Sequence, residues 1–118
     1  MSKIQVYHNK RCSKSSQAVN YLIEKGIKEE DLDIILYLDN PISTEIATSL
    51  VNMLENQLDD LIRKSDAKKL EIEVPKQLTK DWVIKAIVDE PKIMQRPIIV
   101  SNGKAVIGRP TELIDQLF

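Results

Sequence analysis

The chain has 118 residues, is 42% hydrophobic and 30% charged, and carries a formal net charge of −1. That size and balance suit a single globular domain over residues 1–118, and give no footing for nucleic acid or an anionic membrane surface. No run approaches the roughly 18 apolar residues of a membrane span, the N-terminus shows no signal-peptide pattern, and one cysteine excludes an internal disulfide, so a cytoplasmic, reducing location is expected.

Ile4-Gln5-Val6-Tyr7 reads as a short strand. Residues 14–25 follow with helical spacing, placing Ala18, Val19, Leu22 and Ile23 on one face, and Gly26 is a natural stop. The near-continuous apolar run Asp33–Leu38 predicts a strand covered on both faces. Strand, helix and strand with short joints make a βαβ unit with a parallel pair.

The middle is helical. Ser43 can cap a helix in which Ile46, Leu50 and Leu54 recur at four-residue steps beside Ala47 and Val51. Leu58, Leu61 and Ile62 predict a second short helix with Arg63 at or beyond its end, and residues 64–76 read as a charged surface connection. Thr79 can cap a helix to about residue 88, with Val83, Ala86 and Ile87 inward and Pro91 ending it. Pro97–Val100 and Lys104–Ile107 flank Ser101-Asn102-Gly103 as a hairpin, and Pro110 suits the first turn of a last helix over 110–117. The order predicts an α/β, thioredoxin-like fold. It has a mixed four-stranded sheet with flanking helices and a helical insertion between the second and third strands.

Cys12 falls at the strand-to-helix turn, between Arg11 and Lys14. A helix N-terminus and nearby cations lower a thiol pKa, and the thiolate is the reactive form. The plainer reading is a small buried hydrophobe. His8 can be a hydrogen-bonded structural group or can tune the thiolate. Arg63, Arg96 and Arg109 each read singly as solvated charges, but Arg96 and Arg109 abut the ends of the hairpin strands, each next to a proline. Arg96-Pro97 before a buried-type strand also suggests a cis proline, which pattern alone does not establish.

A thiolate with three arginines has a specific meaning. Guanidinium forks bind tetrahedral oxyanions bidentately, and N–H groups at a helix start add an anion cradle. Phosphate would bind without being reduced, whereas arsenate could be attacked at arsenic. Reduction needs two electrons, so a second thiol must come from outside.

Arg11-Cys12-Ser13-Lys14-Ser15, Leu61-Ile62-Arg63-Lys64, Gln95-Arg96-Pro97-Ile98-Ile99-Val100 and Ile107-Gly108-Arg109-Pro110 resemble the motifs of glutaredoxin-dependent arsenate reductases, closest to the short YfgD-type branch. The likeness covers nearly the full length, although Lys10 stands where such proteins commonly have proline. The resemblance implies that Cys12 is the nucleophile and that Arg63, Arg96 and Arg109 hold the oxyanion. By the same token His8 and Ser15 assist the thiolate, as the flanking charge of Arg11 is expected to, and Pro97 is the cis proline. It further implies glutathione as co-substrate, glutaredoxin as partner, no bound cofactor and no metal.

Two other classes stay open. Spx-like regulators of this fold bind RNA polymerase, usually with a Cys-x-x-Cys switch, but here Ser15 takes the second position. A monothiol oxidoreductase acting on glutathione mixed disulfides needs the Cys-x-x-Ser form that Cys12–Ser15 supplies.

Overall fold

Strand β1 (Ile4–Tyr7) alternates its side chains, sending Ile4 and Val6 to one face of the sheet. The computed structural model describes residues 3–118. β1 lies inside a four-stranded sheet of order β2-β1-β3-β4, with β2 (Leu32–Ile35), β3 (Ile98–Ser101) and β4 (Lys104–Ile107). It pairs parallel with β2, Ile4 opposite Leu32, and antiparallel with β3, Val6 opposite Ile99. β3 pairs antiparallel with β4, Ile99 opposite Val106. The sheet is therefore mixed, as expected.

Helix α1 (Ser13–Glu24) covers the face that carries Val6, Ile99 and Val106, packing Ala18 and Leu22 against them. Ile114, from a 3-10 helix over Thr111–Leu117, completes this core. Val6, Leu22, Ile99 and Ile114 are each 0% exposed, and burying an aliphatic side chain of this size contributes about 1.5–3 kcal/mol. α1 ends in a Schellman arrangement: Gly26 has φ +98°, Gly26 N–H donates to Ile23 O, and Ile27 N–H donates to Leu22 O. Asn102 and Gly103, both with positive φ, make the two-residue turn between β3 and β4. Tyr21 Oη donates to Asp115 Oδ1, which also pairs with Lys25, so α1 holds the terminal 3-10 helix.

The chain divides into two units: residues up to Asn40 with Arg96–Phe118, which hold the sheet, and Pro41–Gln95. The second unit contains α2 (Thr44–Met53), α3 (Leu58–Leu61), α4 (Lys64–Lys69) and α5 (Lys80–Asp89). Ser43 Oγ accepts from Ile46 N–H, and Thr79 Oγ1 accepts from Trp82 N–H, so both expected caps form. α2 and α5 pack together, and Leu50, Val51, Val83 and Ile87 are buried.

Four local expectations are corrected. The strand expected over 33–38 stops at Ile35, and Leu36–Asp39 turns. It is an edge strand, so Ile34 is 39% exposed rather than covered on both faces. The connection after Arg63 contains α4, whose one buried residue, Ala67, gives too weak an apolar stripe to read. The C-terminal helix is 3-10, and Ile23 lies at the exposed margin of α1.

Candidate active site

The turn after β1 is built by hydrogen bonds that its own residues supply. His8 N–H donates to Ile35 O, carrying the β1–β2 pairing one residue further. Asn9 then makes an Asx-type turn: its Oδ1 accepts Arg11 N–H at 3.0 Å, and its carbonyl accepts Cys12 N–H at 3.0 Å. Cys12 is the N-cap of α1, with extended backbone at φ −96° and ψ 116°. Its sulfur thus stands at the open end of the helix, where the N–H groups of the first turn lack intrahelical acceptors.

Ser15 ties this turn to the helix. It is 0% exposed, and its Oγ accepts Asn9 N–H at 3.1 Å and lies 2.7 Å from His8 Nδ1. Burial, then the charge of Lys10, lowers the His8 pKa, which keeps the ring neutral at neutral pH. A neutral ring bonds Ser15 in either tautomer, as acceptor or as donor. His8 and Ser15 thereby brace the backbone that presents Cys12.

Two arginines reach the sulfur from the ends of the hairpin. Arg109 follows β4 and Gly108, whose N–H donates to Pro97 O at 2.9 Å. Arg109 Nε donates to Arg96 O at 2.7 Å, and Arg109 Nη2 donates to Cys12 Sγ at 3.1 Å. The Arg96 side chain also hydrogen-bonds Cys12. The Arg96–Pro97 and Arg109–Pro110 peptides are both cis.

Partial burial pushes the Cys12 thiol up. The Ser15 N–H, the Arg96 guanidinium, the Arg109 charge and the Lys14 N–H together outweigh it and hold the pKa below the ordinary value. Both N–H groups belong to the first turn of α1, where they lack intrahelical acceptors and face the sulfur of the N-cap residue. The exposed side chains of Arg11 and Lys14, adjacent in sequence, are not among the causes.

Arg63 belongs to the helical unit. Its Nε donates to Asp66 Oδ2 at 2.7 Å and its Nη1 to Gln95 Oε1 at 3.1 Å, while its N–H donates to Ile93 O. The isolated bridge Ile62↔Met94 and the bond from Gln95 N–H to Leu61 O align these two segments. Asn9, Asp66 and Gln95 were not singled out from sequence. Asn9 in a post-strand turn and Asp66 three residues after Arg63 are the signals that could have found two of them. Among the described residues, no three or more His, Cys, Asp or Glu gather as metal donors, and no helix is long and apolar enough to cross a membrane.

The arrangement can hold a thiolate charged beside two guanidinium groups, a setting for a negatively charged electrophile. Residues 7–117 match the model of the ArsC family. The protein YfgD of Escherichia coli is 39% identical over 114 residues, covering 95% of this chain and 93% of that protein. An arsenate reductase of Neisseria meningitidis is 37% identical over 118 residues, covering 98% and 97%. The solved structure of an arsenate reductase from Vibrio cholerae superposes with a TM-score of 0.79 at 30% identity, covering 99% of this chain and 98% of that one.

Proposed function

Because this chain belongs to the ArsC family, we propose that it is an oxidoreductase that reduces arsenate to arsenite through Cys12, with glutathione and glutaredoxin supplying the remaining thiols. The observation that carries this reading is the contact of Arg109 Nη2 with Cys12 Sγ at 3.1 Å, beside Arg96. A thiolate and an arsenate dianion repel each other. Guanidinium groups lower that barrier by neutralising charge where it accumulates. Relatives named arsenate reductase at 37% and 31% identity support the substrate.

The electrons balance as follows. The Cys12 thiolate attacks arsenic, an S–As bond forms, and an arsenic-bound oxygen leaves as water after protonation. Glutathione thiolate then attacks the Cys12 sulfur. The S–As pair goes to arsenic, which departs as arsenite, and a Cys12–glutathione disulfide remains. A glutaredoxin thiol attacks the glutathione sulfur and releases the Cys12 thiolate. Arg96 and Arg109 hold the oxyanion, while His8, Ser15 and Pro97 position the sulfur and its surroundings. The sequence resemblance adds Arg63 to the oxyanion ligands, and Arg63→Ala tests that assignment separately.

The test is arsenate-dependent NADPH oxidation in the presence of glutathione, glutaredoxin and glutathione reductase. Turnover by the wild type and none by Cys12→Ser is expected. Equal turnover by both would remove Cys12 from the mechanism, and none by either, with a reactive Cys12, would remove arsenate as substrate.

A further inference from the structure

We propose that Asp66 and Gln95 are positioning residues for the oxyanion: together they hold the Arg63 guanidinium so that its Nη2 end is preset for the anion. The inference rests on the reading of Arg63 as an oxyanion ligand, and it gives a task to two residues beyond the thiolate and the arginines.

Arg63 is fixed first through its backbone. Its N–H donates to Ile93 O at 2.6 Å, and Gln95 N–H donates to Leu61 O at 2.7 Å, on either side of the Ile62↔Met94 bridge. Ile62 is 3% exposed and Met94 0%, so this short antiparallel pairing is shielded from water. The side chain is then fixed at two more points. Nε donates to Asp66 Oδ2 at 2.7 Å, and Nη1 donates to Gln95 Oε1 at 3.1 Å. The Arg63 and Asp66 side chains are only 21% and 22% exposed, which sets their pair apart from solvated surface pairs that hold little.

Two bonds to two different nitrogens define the plane of a guanidinium. Nε–H and one Nη1–H are taken up by the protein, so the fork that a ligand meets is built on Nη2. Arg63 and Gln95 line a groove of about 390 Å³, which leaves that fork open to a small anion. Asp59 and Asp60 line the same groove. An unheld arginine there would be drawn to either carboxylate, and the anion would have to displace it. Holding Arg63 in advance removes that competition, along with the rotamer entropy of a long side chain.

Inorganic phosphate, which would bind without being reduced, reads the site without turnover. The rate of Cys12 alkylation by iodoacetamide would be followed against phosphate concentration at fixed pH and ionic strength. The ratio to the phosphate-free rate cancels differences in thiolate fraction between variants. Asp66→Ala and Gln95→Leu are each expected to raise the half-protecting concentration about three- to tenfold, and Arg63→Ala at least as far. Asp66→Asn keeps an acceptor oxygen at the same reach and should recover part of the loss. The sign is diagnostic, because removing a carboxylate leaves more positive surroundings, and a general field would tighten phosphate binding. In the Arg63→Ala background, neither Asp66→Ala nor Gln95→Leu should change protection more than about twofold.

Unchanged or tighter binding in both Asp66→Ala and Gln95→Leu would overturn the proposal. So would losses that persist without Arg63, since they would then act through α4 or through Arg96, which follows Gln95 in the chain. Protection that depends on Asp66 through Arg63, without arsenate turnover, would uphold the positioning and remove the arsenate reading. Arsenate turnover with protection indifferent to Arg63 and Asp66 would do the reverse.

Discussion

Arg109 Nη2 donates to Cys12 Sγ across 3.1 Å, though the two residues stand 97 positions apart in the chain. The contact exists because β4 runs antiparallel to β3, and β3 runs antiparallel to β1. The end of β4 is thereby returned to the end of β1, where the helix start holds the sulfur. The same guanidinium is fixed through Nε on Arg96 O at 2.7 Å. Its approach to the thiolate is set before any substrate arrives.

Removing either guanidinium should cost activity and raise the thiol pKa together. Arg96→Ala and Arg109→Ala are each expected to lower kcat/KM for arsenate about 10²-fold, the usual loss for one charge-stabilising donor. Both should move the Cys12 alkylation midpoint upward, toward the ordinary thiol value. Arg109→Lys keeps the charge but loses the planar fork, so it should fall between wild type and alanine. Steady-state assays and a pH titration of alkylation rate check these outcomes.

Gly108 is a second determinant of the same contact. A Cβ there would stand 3.0 Å from Ile99 Cδ1 and 3.1 Å from Pro97 Cγ, both on buried residues. Gly108→Ala is expected to destabilise by about 1–3 kcal/mol through overpacking. Because Arg109 is the next residue, activity should fall as well. Urea unfolding and the coupled assay read the two effects.

Cys12 and His8 should each make stability depend on pH in a window of its own. The folded Cys12 pKa is below 9.0, so between the two values the unfolded chain binds the proton that the folded chain has released. Stability rises with pH across that window, and this contribution is lost as pH falls through the folded pKa. The folded His8 pKa is below 6.5. Between that lowered value and 6.5 the unfolded chain again binds more protons, so stability rises with pH there too. Denaturant unfolding against pH should show both slopes, with the upper one absent in Cys12→Ser.

In the helical unit, Ser43→Ala and Thr79→Ala each remove a side-chain acceptor from a helix start. Each is expected to cost about 1 kcal/mol. As the two caps serve different helices, the double variant should sum the two losses, measured by denaturant midpoint.

What could be read in advance follows the range of the forces involved. β1, α1, both caps and the Asn102-Gly103 turn depend on residues within a few positions, and sequence periodicity and turn chemistry carry them. The apolar run 33–38 shows that residues favour burial but not that β2 lies at the sheet edge, which is why Ile34 is exposed. α4 escaped because Ala67 alone marks its inward side. At the site, Arg11 and Lys14 stood out by adjacency, whereas the charges that lower the Cys12 pKa come from Arg96 and Arg109 through strand pairing. Their part was suggested by motif resemblance and by their place at the strand ends, not by spacing from Cys12.

The most direct test is a single turnover. Reduced protein would be mixed with arsenate and glutathione in the absence of glutaredoxin, and both the protein mass and the arsenite released would be measured. Conversion of Cys12 to its glutathione disulfide, with one arsenite per chain, is the predicted result. Cys12 left reduced with no arsenite formed, or arsenite formed without modification of Cys12, would contradict the account.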